Sequence, residues 1–139
     1  MKVIVAGTVA IDDVKTPKVE RTGLMGGSAA YAAMSCSFFA RTRIVGIIGK
    51  DFPKEHIKTL ENKEICTEGI ERSEGDSFYW SGEYHENMDD RTTHDVAVNV
   101  LEAYKPKIPE SYSDSELILL ANMSPRNQLD VLEQCNNAK

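Results

Sequence analysis

The sequence predicts an α/β fold in which a parallel sheet is flanked by helices and carries a small β hairpin. Three nearly continuous apolar runs, at residues 3–9, 44–48 and 117–121, are typical of parallel strands that are covered on both faces. Segments with helical spacing lie between these runs, and this alternation favours a parallel sheet. The hairpin is predicted by the alternating side chains of Phe78–Tyr84 and by a candidate return strand at residues 91–98.

The first helix is predicted from residue 28 to about residue 40. Ser28 has the side chain of an N-cap, and apolar or small side chains follow it at helical spacing. These side chains are Tyr31, Met34, Ser35, Phe38 and Phe39. Residues 12–22, which precede the helix, are polar and include a proline, so we expect an edge strand or a loop there.

Two further helices complete the alternation. One begins at Asp51 or Phe52, with Pro53 in its first turn, and the other runs from residue 125 to about residue 135. The side chains predicted to face the core are Ile57 and Leu60 in the former and Leu129 and Leu132 in the latter. Residues 69–74 are a candidate short strand between them.

Composition limits the class of protein. A chain of 139 residues with 41% apolar residues can bury the core of one domain. A net charge of −6 and a pI near 5.1 argue against nucleic acid or an anionic membrane as partner. No apolar run reaches the roughly 18 residues that a membrane-spanning helix needs. The three cysteines are widely spaced, as is typical of reduced thiols, and we expect a cytoplasmic location.

Two local patterns indicate a binding site for a molecule with several hydroxyl groups. Gly26 and Gly27 precede the first helix, where glycine lets the backbone approach a ligand and free N–H groups face its oxygen atoms. Asp12 follows the first strand, at the edge where open α/β sheets bind ligands. Structural alternatives stay open, since Asp12 could cap a turn and the glycines could serve only a positive φ. Asp13 is expected to be a solvated neighbour of Asp12. Tyr31 could stack on a sugar or a base, or pack against the protein.

These residues resemble the start of the ribokinase-like (PfkB-type) carbohydrate and nucleoside kinases. Residues 7–12 resemble the family's first strand with its substrate-binding aspartate, residues 26–30 its first signature, and residues 45–51 the strand that follows. A looser similarity continues through residues 78–84, where the family has its lid strands, to residues 117–122. The resemblance covers most of this chain but only about the first half of a typical member.

The resemblance implies a Rossmann-like parallel sheet with lid segments at about residues 12–24 and 70–98. Residues 1–139 would then form the N-terminal, substrate-side part of a ribokinase-like domain. The implied substrate-binding candidates are Asp12, Gly26, Gly27 and Tyr31 in the first part of the chain, and Trp80 and Tyr84 in the lid. The aromatic face of the lid covers either a ligand or the domain's own core.

The family's second signature, a Gly-Ala-Gly-Asp run that carries the catalytic base and the anion hole, has no match. No glycine follows Gly82. The resemblance therefore implies a truncated fold with no catalytic residue and no metal ligand of its own. ATP and Mg²⁺ are implied for the full-length family member, and none is expected on this chain alone, which we expect to be inactive. Ala10 and Tyr31 stand where many members have asparagine, which leaves the acceptor's identity open.

Other apparent motifs are not adopted as sites. Residues 46–51 place glycine and lysine in P-loop-like order, but the spacing is too short for a Walker motif. Residues 99–102 match the family's Asn-x-x-Glu only superficially, because they precede the third core strand. His85 and His94 flank a predicted turn without the further ligands that a metal site needs.

Three functions remain for comparison with the structure. The first is the substrate-binding half of an ATP-dependent sugar or nucleoside kinase, with a small-molecule sugar or nucleoside as ligand. The second is a non-catalytic sugar- or nucleoside-binding or interaction module. A small enzyme with a nicotinamide dinucleotide is a more distant third. Ending a parallel sheet after its third strand leaves backbone groups unpaired, so we also expect self-association through the lid or the exposed sheet edge.

Overall fold

The computed structural model describes residues 1–135 and residue 138, which form two four-stranded sheets and three helices. The strands are Lys2–Ala6 (β1), Ala10–Lys15 (β2), Glu20–Gly26 (β3), Arg41–Ile48 (β4), Cys66–Arg72 (β5), Phe78–Tyr84 (β6), Arg91–Ala97 (β7) and Leu117–Leu120 (β8). The helices are Ser28–Cys36 (α1), Lys54–Glu61 (α2) and Pro125–Gln134 (α3), with short 3₁₀ helices at Asn99–Leu101 and Glu110–Tyr112. Within these described residues, no helix is both long and apolar enough to cross a lipid bilayer.

The first sheet is parallel throughout and has the strand order β5-β4-β1-β8. Its central strands are apolar on both faces because both faces are covered. Val5 and Ile44 have no exposed surface and belong to the cluster that α1 and α2 complete, in which Ile57 and Leu60 are buried as predicted. Val131 of α3 packs into a second cluster that also contains side chains of β1 and β4. The predicted α/β fold is confirmed.

The second sheet is larger than the predicted hairpin. Its order is β3-β2-β6-β7, in which two antiparallel hairpins are joined by parallel pairing of β2 with β6. Residues 12–22, predicted as an edge strand or a loop, supply most of β2 and the start of β3. They form strands because β2 pairs with β3 and also with β6, which lies 68 residues later in the chain. Residues 70–72, in the predicted lid segment, end β5 of the parallel sheet instead.

The chain passes between the two sheets four times, and hydrogen bonds tie these connections together. Ser77, which is 1% exposed, precedes β6 and donates its hydroxyl to Asp51 Oδ1 at 2.8 Å. The same hydroxyl accepts the N–H of Gly49 at 2.9 Å, and Asn99 Nδ2 donates to the Ser77 carbonyl at 2.9 Å. A Cβ on Gly49 would overlap the backbone of Gly75. Residues 46–51, which have glycine and lysine in P-loop-like order, therefore anchor the start of β6 through Gly49 and Asp51.

Replacing Ser77 by alanine is expected to lower the free energy of unfolding by about 1–3 kcal/mol, because the buried Gly49 N–H loses its acceptor. Urea denaturation of the variant and the wild type measures this difference. Ser35, which is exposed on α1, provides a matched control, and Ser35→Ala should change the free energy of unfolding little. Equal stability of Ser77→Ala and the wild type would contradict the anchoring role.

Helix α1 differs from its prediction in length and in the face that it buries. It ends at Cys36 rather than near residue 40, and Gly27 rather than Ser28 is its N-cap. Its buried side chains are Ala29, Ala30 and Ala33. Small side chains let the helix lie close to the sheet, and the larger Tyr31 points to solvent and is 64% exposed. Phe38, predicted in the helix, follows its end and is 72% exposed.

Helix α3 has the predicted extent, but it buries a different face from the one predicted. Leu129 and Leu132 are 45% and 47% exposed, whereas Asn127 and Val131 are buried. Asn127 faces inward because its Nδ2 donates to the buried Tyr104 carbonyl at 3.0 Å. That contact and the packing of Val131 fix the rotation of the helix.

Strand β8 lies at the edge of the parallel sheet and is partly exposed. Leu117 and Leu119 are 36% and 38% exposed, and they line an apolar groove together with Met1, Phe39 and neighbouring residues. Exposed edge strands with apolar side chains are the sheet positions at which chains pair with one another.

Candidate functional site

Asp12 and Gly26 meet at the base of the second sheet, as the sequence predicted that they would. Asp12 lies in β2, opposite Leu24 of β3, and the pair Ala10–Gly26 follows on the same face. The Asp12 carboxylate occupies the space beside Gly26, so a Cβ at that position would overlap it. The role of Gly26 is therefore to leave room for the carboxylate.

The Asp12 carboxylate is half-buried and has no hydrogen-bond donor among the residues that the structure describes. Burial, together with the smaller effect of the negative charge of Asp13, raises the pKa of Asp12 from 3.8 to about 6. Fully buried carboxylates are normally paired, whereas the unpaired oxygens of Asp12 keep contact with solvent. An unpaired one on an accessible face is therefore a candidate acceptor for the hydroxyl groups of a ligand.

The start of α1 offers fewer free N–H groups than the sequence suggested. Thr8 uses two of them: its hydroxyl accepts the N–H of Ser28 at 3.0 Å, and its carbonyl accepts the N–H of Ala29 at 2.9 Å. Within the described residues, the N–H groups of Gly27 and Ala30 have no acceptor, and Gly27 is the one of the two that lies next to Gly26. Gly27 has a φ of 92°, and a Cβ there would overlap the Thr8 carbonyl. Gly27 therefore has a positive φ and, within the described residues, an N–H without an acceptor, so the two interpretations of this glycine are compatible.

The lid candidates Trp80 and Tyr84 share the Asp12 face of the second sheet. Trp80 is in register with Asp12 in the parallel pairing of β2 and β6, and Tyr84 lies four residues further on. Their ring centroids are 6.3 Å apart, and Trp80 Nε1 donates to Thr93 Oγ1 at 3.3 Å. Trp80 also lies over Gly82, where a Cβ would overlap its ring. The two rings therefore form a patch beyond Asp12 on one face.

Tyr31 lies in the first turn of α1 and does not pack in the core. Its side chain is 64% exposed, so the packing alternative is not supported for this residue. A cavity lined by Ile108, Tyr112 and Gln134 lies elsewhere in the described residues and contains none of the site candidates.

Sequence reasoning missed the role of Asp13, which it treated as a solvated neighbour of Asp12. Asp13 Oδ1 accepts the Gly23 N–H at 2.7 Å, and its Oδ2 accepts the Tyr79 hydroxyl at 2.8 Å. The pairing partners lie 10 and 66 residues away along the chain, so no local pattern could reveal them.

Comparison with known proteins gives one curated relative at significant similarity and many solved structures. A cytidine kinase from Thermococcus kodakarensis is 30% identical over 137 residues. The match covers 96% of this chain and 48% of that protein, so the chain spans about half the length of the curated relative that it matches. No protein-family model matches the chain.

Two solved structures show the same fold over nearly the whole chain. A ribokinase from Thermotoga maritima gives a TM-score of 0.73 at 20% identity and covers 97% of this chain and 50% of the other. A nucleoside kinase from Methanocaldococcus jannaschii, an archaeal member of the ribokinase family, gives a TM-score of 0.72 at 15% identity and covers 95% and 48%. The resemblance drawn from the sequence is confirmed: the chain has the ribokinase-like fold over about half the length of its relatives.

Proposed function

We propose that this chain is the substrate-side half of an ATP-dependent sugar or nucleoside kinase, with residues 1–139 as the N-terminal part of a ribokinase-like domain. The observation that carries the proposal is the unpaired, half-buried Asp12 carboxylate beside Gly26. The named activity of the cytidine kinase relative supports a nucleoside as the first ligand to test. The second sheet serves as the lid, with Trp80 and Tyr84 facing the bound molecule.

In the proposed site, one group of the chain accepts hydrogen bonds from an alcohol ligand and another group donates a hydrogen bond to it. The Asp12 carboxylate accepts hydrogen bonds from ligand hydroxyls, and the Gly27 N–H donates to a ligand oxygen. Hydrogen bonds to an ionised carboxylate are stronger than those between neutral groups. Donors from the ligand favour the charged form and therefore lower the pKa of Asp12 from its raised value. Binding should thus release a proton near pH 6.

Hydrogen bonds within the protein occupy several backbone N–H groups at the two glycine turns that could otherwise bind a nucleotide phosphate. The amides of Ser28 and Ala29 at the start of α1 are bonded to Thr8. At the second glycine turn, the Gly49 N–H donates to Ser77 and the Lys50 N–H donates to the Gly75 carbonyl. We therefore assign ATP, Mg²⁺ and the catalytic base to residues outside this chain, and we assign to this chain only the positioning of the acceptor, which phosphoryl transfer requires.

Cytidine or D-ribose is expected to raise the midpoint of thermal unfolding by several degrees at a hundredfold excess over Kd, because a ligand at that excess stabilises the folded state by about 2.7 kcal/mol. Differential scanning fluorimetry measures the shift. Asp12→Asn should abolish it by removing the charged acceptor. Asp95→Asn, exposed on β7 of the same sheet, is the matched control and should keep it. Failure of both probes, or an equal shift in Asp12→Asn, would contradict the proposed site.

A non-catalytic binding or interaction module is the second candidate, and the exposed apolar edge at β8 favours it. Leu117 and Leu119 offer a surface through which the chain pairs with a second copy or another polypeptide. The two candidates differ in one outcome. A polypeptide corresponding to the other half of the cytidine kinase relative should restore ATP-dependent phosphorylation of cytidine only if the chain is the half of a kinase.

A further inference from the structure

A β-bulge lies directly beside Asp12. Asp12 pairs with Leu24, and Val14 pairs with Arg21, so two residues of β3 oppose the single residue Asp13. Gly23, one of those two residues, has a φ of 66°. Bulges of this kind bend a strand and change the direction of nearby side chains, and they are frequent next to functional sites.

Three elements hold this bulge in place. Asp13 on β2 accepts the Gly23 N–H at 2.7 Å and the hydroxyl of Tyr79, from β6, at 2.8 Å. His56 on α2 lies with Nε2 2.8 Å from the Gly23 carbonyl oxygen. Because a carbonyl oxygen accepts, Nε2 carries the hydrogen in this contact. The peptide groups before and after Gly23 are thus each held by a side chain, and Phe52 packs edge-on against the His56 ring at a centroid distance of 5.5 Å.

We propose that Asp13 is a positioning residue for the Asp12 site: by fixing the bulge through Gly23 and Tyr79, it sets the direction in which the Asp12 carboxylate points. The inference deepens the proposed function, because it assigns a second residue to the same site. It concerns the orientation of Asp12 in the free protein, however, and can be tested without any ligand.

The geometry explains why the effect reaches Asp12. Neighbouring residues of a strand face opposite sides of the sheet, so Asp12 faces Gly26 only while the register at Asp13 is kept. A one-residue slip of β3 along β2 would turn Gly26 to the other face, away from the Asp12 carboxylate, and so remove the space that Gly26 leaves for it. The bonds at Asp13 oppose that slip, and the Tyr79 hydroxyl links them to β6.

Asp13 also acts on Asp12 through its charge. Burial is the larger cause of the raised pKa of Asp12, and the negative charge of Asp13 adds to it. The hydrogen bond to Asp13 raises the pKa of Tyr79, which keeps the phenol protonated as a donor. The other titratable side chains near the bulge are His56 from α2 and Asp95 from β7, whose negative charge also raises the pKa of Tyr79. Further along the sheet, Lys15 and Glu83 pair with each other at 3.1 Å.

The test combines two variants at Asp13 with two measurements. Asp13→Asn keeps an oxygen that accepts the Gly23 N–H but removes the charge, whereas Asp13→Ala removes both. The pH titration of the Asp12 carboxyl carbon, followed by NMR in the free chain, should move to lower pH in Asp13→Asn. Cytidine affinity should fall about tenfold in Asp13→Ala, a loss of about 1.4 kcal/mol, and less in Asp13→Asn, which rescues the bulge.

Tyr79→Phe provides a second route if Asp13→Ala fails to fold. It removes one hydrogen bond to Asp13 without changing any charge at neutral pH, and it should weaken cytidine binding while Asp95→Asn does not. An unchanged Asp12 titration in Asp13→Asn, together with unchanged cytidine affinity in Tyr79→Phe, would overturn the positioning role. If the Asp12 titration also shifts in Tyr79→Phe, where no charge changes, but the wild type binds neither cytidine nor D-ribose, the positioning role stands and the proposed function fails.

Discussion

Gly27→Ala is expected to destabilise the folded chain by roughly 2–5 kcal/mol, the largest effect of any single methyl group in the candidate site. Gly27 has a φ of 92°, which costs strain in any residue with a Cβ. The added carbon would also overlap the Thr8 carbonyl. That carbonyl cannot move away easily, because it accepts the Ala29 N–H at the start of α1. Urea denaturation gives the difference in free energy of unfolding.

Gly26→Ala is the matched variant, and its effect should fall on binding instead. The added Cβ at Gly26 meets the end of the Asp12 side chain rather than backbone, so the carboxylate can rotate away. We therefore expect a smaller loss of stability than in Gly27→Ala, together with loss of cytidine binding measured by calorimetry. If Gly27→Ala unfolds at the wild-type urea concentration, or if Gly26→Ala binds like the wild type, the geometry given for this pair is incorrect.

Asp12→Asn is expected to stabilise the chain above pH 6 while it abolishes ligand binding. The pKa of Asp12 is raised from 3.8 to about 6 on folding, so the folded state holds the proton more tightly than the unfolded state. The resulting stability is fully present below pH 3.8 and is lost as the pH rises through 6. Asparagine does not ionise and avoids this loss, which is on the order of 1 kcal/mol after allowance for solvent screening.

The measurement is urea denaturation of both proteins at several values from pH 4 to pH 8. The difference should be near zero at the acidic end, grow between pH 4 and 6, and stay constant above that. Asp95→Asn, whose carboxylate is exposed, should show no such pH dependence. A wild type that gains stability over Asp12→Asn with rising pH would show that Asp12 has a donor in the folded chain, against the structure described above.

The parallel sheet could be predicted from the sequence because its signal is local. Continuous apolar runs such as residues 44–48 occur only where a strand is covered on both faces. The second sheet could not be predicted in full, because β2 is polar and becomes a strand through its pairing with β6, a contact between distant segments. Helical spacing also failed at Leu132, because α3 is oriented by Asn127 and its bond to the Tyr104 carbonyl.

The candidate site, like the fold, was predictable where the signal is local and not where it depends on contacts between distant residues. Gly26 and Gly27 precede a helix, and Asp12 follows a strand, so the residue types and their order were enough to suggest that they meet. Asp13 was misjudged because its role depends on the bulge at Gly23, which changes no residue type and leaves no periodic pattern. Whether the six site candidates bind substrate stays a prediction that the variants above will decide.

Thr8 accepts hydrogen bonds from two N–H groups at the start of α1, and this affects which end of a ligand can bind there. Two amides that would otherwise attract an anion are occupied, and the carboxylates Asp12 and Asp13 repel negative charge nearby. A phosphorylated alcohol therefore loses binding free energy if its phosphate lies beside these carboxylates. The uncharged alcohol can bind there without that loss. In a kinase that contains this half, weaker binding of the phosphorylated product than of the alcohol at this position would limit product inhibition.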